Sequence, residues 1–157
     1  MRVVVLSDTH HRTSVIEKIL SSQPEAEYVF FLGDNTNDIE DFEFLYPNKK
    51  FCVVSGNCDY NSFLPNTGVK TVQGVKIFYT HGHTLGVKST TEHLLKAAKQ
   101  NDCKIALYGH THISKILYED ETYIVNPGSA SQSRNGPPSY AVIDITEKGI
   151  MPVIIEL

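Results

Sequence analysis

Apolar and polar positions in the first third of the chain alternate in a repeated unit. Arg2 to Leu6 is a short β-branched run that reads as a buried strand, and it ends in Ser7-Asp8-Thr9-His10-His11. Ser14 then opens a helix, with Glu17 three residues on as a capping-box partner and Val15, Ile16, Ile19 and Leu20 as its apolar stripe. Ser21 to Pro24 stop it. Tyr28 to Leu32 is a second strand, ending in Gly33-Asp34, and Asp38 to Tyr46 a second helix with Ile39, Phe42 and Leu45 on one side. Phe51 to Val54 is a third strand, ending in Ser55-Gly56-Asn57-Cys58-Asp59. Strand, polar loop and helix in this order are the grammar of a sheet with helices packed on it.

From Tyr60 the rhythm changes. Tyr60 to Asn66 reads as a loop, and Lys70 to Val72 with Val75 to Tyr79 form a hairpin about Gln73-Gly74. The second of these strands ends in Thr80-His81-Gly82-His83. Thr91 to Gln100 is a helix carrying Leu94, Leu95 and Ala98, with His93 facing solvent or serving structure. The apolar run from Ile105 to Tyr108 leads into Gly109-His110-Thr111-His112. Lys115 to Tyr118 and Tyr123 to Val125 bracket a hairpin, Asn126-Pro127-Gly128-Ser129 a turn, and Ser131 to Pro138 a loop. Tyr140 to Ile145 and Ile150 to Ile155 close the chain as a last hairpin about Glu147-Lys148-Gly149. The expected class is α/β (α+β in some schemes), with two mixed sheets face to face and helices outside. One domain over residues 1–157 is expected, without repeat or linker.

Composition narrows the setting. Apolar residues are 41% and charged residues 20%, an ordinary globular balance, and the net charge of -4 with scattered Lys and Arg argues against a large nucleic-acid-binding face. No N-terminal signal segment and no run of membrane-spanning length is present. Three cysteines without regular spacing fit reduced thiols and a cytoplasmic protein, with Cys52 and Cys103 as small core residues.

The chemistry lies where the strands stop. Five of them end in metal-capable residues: Asp8 with His10, Asp34, Asn57, His81, and His110 with His112. Singly, each reads as well as a turn residue, a helix cap or a loop histidine. Ligands of α/β sheets gather outside the carboxyl ends of strands, so recurrence in all five is the signal. Two carboxylates, four imidazoles and an amide exceed what one tetrahedral zinc takes and suit two divalent ions. Mixed N and O donors favour Mn, Fe or Zn over Ca or Mg.

The series Asp8-Thr9-His10, Gly33-Asp34, Gly56-Asn57-Cys58-Asp59, His81-Gly82-His83 and Gly109-His110-Thr111-His112 resembles the calcineurin-like metallophosphoesterase signature. With Asn126 to Ser129 and the short length, it is similar to the small bacterial and archaeal phosphodiesterase branch. The resemblance implies a four-layer α/β/β/α sandwich. It implies one ion on Asp8, His10 and His112, another on Asn57, His81 and His110, and Asp34 between them. It also implies hydrolysis of a small phosphodiester by a metal-bridging hydroxide. Two divalent ions per chain are expected, Mn foremost, with Ni, Zn or Fe as alternatives. Many larger members carry His where Cys58 stands, so leaving-group protonation is expected from His11, His83 or water, with acidic leaving groups favoured. His11, Cys58, His83 and Arg134, with Asn57, are candidate substrate contacts. The Asn126–Ser129 turn is a candidate phosphate cradle or a plain turn. Alternatives are a phosphomonoesterase or protein phosphatase, and a protein-binding scaffold similar to a retromer subunit. That lineage lacks the histidine of the first motif, and His10 is present here. A homo-oligomer stays open.

Overall fold

Strands that are apolar on both faces need cover on both sides of their sheet, and here that requirement builds four layers. The computed structural model describes residues 1–60 and 62–157. The order is β1 (Arg2–Leu6), α1 (Thr13–Ser22), β2 (Ala26–Phe31), α2 (Asn37–Leu45), β3 (Lys50–Val53), β4 (Thr67–Val72), β5 (Val75–Thr80), α3 (Glu92–Gln100), β6 (Ile105–Leu107), β7 (Lys115–Glu119), β8 (Thr122–Asn126), β9 (Ser139–Thr146) and β10 (Gly149–Glu156). The strands form two five-stranded mixed sheets, ordered β10-β9-β1-β2-β3 and β4-β5-β6-β8-β7. In the first, β1, β2 and β3 are parallel and β9 and β10 antiparallel. In the second, β5, β6 and β8 are parallel and β4 and β7 run antiparallel at the edges.

Alternation along each strand sorts the side chains into three apolar layers. Val3, Val5, Phe30 and Ile143 of the first sheet meet Ile77, Ile105, Leu107 and Val125 of the second. Their neighbours Val4, Leu6, Val29 and Phe31 turn the other way, onto Ile16, Ile19 and Leu20 of α1 and Ile39 and Phe42 of α2. Phe78, Ala106 and Ile124 pack under Leu94, Leu95 and Ala98 of α3. The result is the α/β/β/α sandwich. Cys52 and Cys103 are buried, and all three thiols are free. Among the described residues, no helix is long and apolar enough to cross a membrane.

Local details depart from the sequence pattern in two helices. The Ser14–Glu17 capping box does not form: α1 starts at Thr13, and Arg12 is the N-cap without a side-chain bond. The chain enters α1 through a tight turn in which the Arg12 N–H donates to the Thr9 carbonyl, so Ser14 lies two positions too deep to cap. In α2, Leu45 is 67% exposed rather than packed. The helix ends there, and Tyr46, stacked on Phe42 with ring centroids 6.4 Å apart, takes the inward position. The Tyr60–Asn66 loop reading includes Asn61, which lies outside the described residues.

Phe30 is fully buried between the sheets, its ring edge-on to Tyr79 at 5.0 Å. Phe30→Ala is therefore expected to cost about 3–5 kcal/mol in urea denaturation. Leu45→Ala is expected to cost less than about 0.5 kcal/mol, as befits a surface site.

Candidate metal centre

The parallel strands β1, β2 and β3 of one sheet and β5 and β6 of the other deliver their carboxyl ends to one place. Backbone bonds lock the loops there: the Asp8 N–H donates to Gly33 O at 3.1 Å, and the Gly109 N–H to His81 O at 3.0 Å. Two bonds cross between the sheets. The His81 Nδ1–H donates to Leu32 O at 2.7 Å, and the His110 N–H to Asp8 Oδ2 at 3.2 Å.

Asp8, His10, Asp34 and His112 each bring one donor atom to within 4.8 Å of all the others. His112 Nε2 lies 3.1 Å from Asp8 Oδ1 and 3.4 Å from His10 Nε2. The remaining three predicted residues adjoin this group through His81. Its Nε2 is 3.1 Å from Asn57 Oδ1, 3.1 Å from His110 Nδ1 and 3.5 Å from Asp34 Oδ1. All seven predicted residues thus meet at one site, although they come from loops far apart in the chain.

The hydrogen bonds on the far sides of the rings fix what faces inward. His81 gives its Nδ1 proton to Leu32 O, and His112 gives its own to Gln132 O at 2.8 Å, which assigns lone pairs to both Nε2 atoms. Asp8 Oδ1 is buried and, among the described residues, accepts no hydrogen bond, despite its ion-pair distance to His112. Acceptors therefore face acceptors at contact distance, an arrangement that only a cation or a proton relieves. The residues fit a divalent ion on this ground. Burial, followed by the neighbouring His81 ring, lowers the His110 pKa to about 4, so that ring is neutral at pH 7 and free to ligate. Asp8 raises the pKa of His112, and a proton there competes with a cation for the same atoms.

Backbone conformation is unusual at the same residues. Asp8, His10, Asp34, His110 and His112 have φ of 56, 45, 61, 66 and 60°, in the left-handed region that side chains other than glycine rarely adopt. Each costs about 1–2 kcal/mol, and such outliers persist only where surroundings over-determine them. Gly109 admits the close approach: a Cβ there would collide with Ser7 Oγ and press on Asp8 Oδ2.

The surroundings include residues that sequence reading left without a role. Asp59 takes the N–H groups of Asp34 and Gly56 on one oxygen, at 3.0 and 2.7 Å, and that of Thr36 on the other at 2.7 Å. Asp38, buried in the first turn of α2, takes the Thr9 hydroxyl at 2.7 Å and the His11 N–H at 2.9 Å. The Ser129 hydroxyl donates to Asp8 O at 2.7 Å and accepts the Gln132 N–H at 2.7 Å. The only sequence signal for Asp59 is its place three residues after Gly56. Asp38 reads as an ordinary acidic residue at a helix start.

The candidate substrate contacts divide. Cys58 sits beside the centre, its N–H on Asp34 Oδ1 at 2.9 Å. Burial and the Asp34 carboxylate push its thiol up to about 11, so it stays protonated at pH 7. His83 lies tilted against His81 at 5.4 Å between centroids, and burial, followed by the His81 ring, lowers its pKa. His11 points to solvent, held by Asn35 Nδ2 at 3.0 Å. Arg134 is exposed, with its N–H on His112 O at 3.0 Å. The Asn126–Ser129 turn is no phosphate cradle, because its groups are committed inward. Asn126 Nδ2 bonds Gly109 O and Thr111 Oγ1, each at 3.0 Å, and Asn126 Oδ1 takes the Gly128 N–H at 2.9 Å. His93 is exposed on α3.

Residues 1–148 match the calcineurin-like phosphoesterase superfamily domain. The chain belongs to that superfamily. It is 29% identical over 168 residues to the phosphodiesterase YfcE of Escherichia coli K12, covering 92% of this chain and 88% of that protein. Among solved structures, a conserved protein of Streptococcus pneumoniae TIGR4, described as a predicted phosphoesterase, superposes with TM-score 0.85. That pair is 26% identical and covers 99% of this chain and 88% of the other. Wild-type Vps29 of Entamoeba histolytica, in complex with zinc, superposes with TM-score 0.73, at 26% identity over 99% of this chain and 98% of that one.

Asp59→Ala removes the acceptor that aligns three backbone donors around Asp34. Its Mn affinity, read by calorimetric titration, is expected to fall about 10- to 100-fold with the fold retained. Unchanged affinity would show that this carboxylate serves the fold alone.

Proposed function

We propose that the protein is a metal-dependent phosphodiesterase with a dinuclear centre. The observation that carries this reading is the buried Asp8 Oδ1, left without a donor inside a ring of inward-facing lone pairs. Asp8, His10 and His112 would hold one ion, Asn57, His81 and His110 would hold the other, and Asp34 would serve both. Bound divalent cations supply charge neutralisation at the phosphoryl group and lower the pKa of the water that serves as nucleophile. Mn is the expected metal, with Ni, Zn or Fe as alternatives. The name of the relative YfcE supports a diester substrate.

The chain's own residues position and protect. Leu32 O and Gln132 O hold two imidazoles in the tautomer that presents Nε2. Asn57 presents its Oδ1 to the centre and its Nδ2 outward, now 3.4 Å from Cys58 Sγ, where it can donate to a phosphoryl oxygen. Cys58, protonated at neutral pH, is neither nucleophile nor ligand. The leaving oxygen takes its proton from water or from His83, the rim histidine beside His81. This weak acid supply favours leaving groups that need little protonation. Free thiols fit a reducing compartment, and the cytoplasm is the proposed location.

Stripped protein is expected to hydrolyse bis(p-nitrophenyl) phosphate once Mn, Ni, Zn or Fe is restored, and alkyl diesters more slowly. His112→Ala is expected to lower kcat/KM by more than about a hundredfold. No turnover with any metal would leave a protein-binding scaffold of the Vps29 kind as the reading.

A further inference from the structure

A cavity of about 360 Å³ borders the Gly109–His112 loop, and Lys88, Ser89, Thr91, Thr111 and Lys115 are among the residues that line it. No carboxylate does. Six of the eleven lysines are engaged elsewhere, and Lys18, Lys96 and Lys148 do not line this cavity. Lys49 caps carbonyls of the α1–β2 loop, while Lys76, Lys99 and Lys104 pair with Asp102, Asp120 and Glu121. Lys50 and Lys70 lie over the Tyr28 ring. Lys88 and Lys115 are exposed and, among the described residues, bond to no carboxylate or carbonyl. Thr111, between His110 and His112, joins the cavity to the metal centre. On the Cys58 side the charge is opposite: a cavity of about 720 Å³ there is lined by Glu40, Glu43 and Asp59 and by no lysine or arginine. An anionic substituent on a bound diester is drawn to one cavity and repelled from the other.

We propose that the Lys88–Lys115 cavity is an anion subsite that binds a second phosphate group carried on one ester arm of the substrate. The inference rests on the phosphodiesterase reading above. Two ammonium groups supply the charge, and the Ser89 and Thr91 hydroxyls, bonded to nothing else among the described residues, supply neutral donors. Both lysines are exposed, so the preference is of the order of tenfold and falls with ionic strength.

The p-nitrophenyl ester of thymidine 5′-phosphate and the same ester bearing a 3′-phosphate share one leaving group and differ by the added anion. The wild type is expected to favour the second by about tenfold in kcat/KM, through KM. In the Lys88→Met/Lys115→Met variant the ratio is expected to approach one. Calorimetric binding of thymidine 3′,5′-bisphosphate against thymidine 5′-phosphate to the purified chain gives the same comparison without turnover. Equal affinities in the wild type overturn the subsite, and so does a preference that survives in the double variant. A binding preference that vanishes in the variant upholds the subsite even where no metal gives turnover, in which case it is the phosphodiesterase reading that fails.

Discussion

Lone pairs directed at one another inside a protein are unstable unless a positive charge stands between them, and that requirement organises this molecule. Asp8 Oδ1 and the Nε2 atoms of His81 and His112 converge from two sheets, and among the described residues Asp8 Oδ1 finds no donor. The protein closes off the alternatives: the outer nitrogens of both rings are tied to carbonyls, so neither ring can turn its proton inward without losing a bond. The donor set is therefore one that could hold a metal ion. Its rigidity comes from backbone groups at strand ends, which move less than loop side chains.

Holding this arrangement carries a local cost. Five of the converging residues have left-handed backbones, and none of them is glycine. Packed sheets above and below compensate, together with three buried or half-buried clamps. Asp59 aligns Asp34 with the β3 loop, Asp38 holds the turn after Asp8, and Ser129 reaches back across the sandwich to the Asp8 carbonyl. Asp59 ties two loops of the centre together, and Asp38 and Ser129 each join one to an element outside it. The strain at the ligating residues is thus set against hydrogen bonds that form only when the four layers are assembled.

The same geometry gives the cleft a direction. Carboxylates of α2 border the Cys58 side, and lysines border the Gly109–His112 side. A protein with net charge -4 has no general attraction for anions, so where its free cations sit matters more than how many it has.

The sequence alone determined the strand and helix order and the seven residues at the strand ends. Periodicity and end chemistry are local properties, carried by neighbours along the chain. It missed where local signals compete with packing. Ser14 and Glu17 have a capping pattern, but the turn at Thr9–Arg12 starts the helix earlier, and Leu45 has the right spacing while Tyr46 takes the inward place. The Asn126–Ser129 turn read equally well as a cradle or a plain turn, and only its buried partners show that it supports the Gly109–His112 loop. Tertiary structure alone decided the histidine tautomers, the left-handed loops and the roles of Asp38, Asp59 and Ser129. Those depend on hydrogen bonds between residues 25, 29 or 121 positions apart, and no window along the sequence contains both partners.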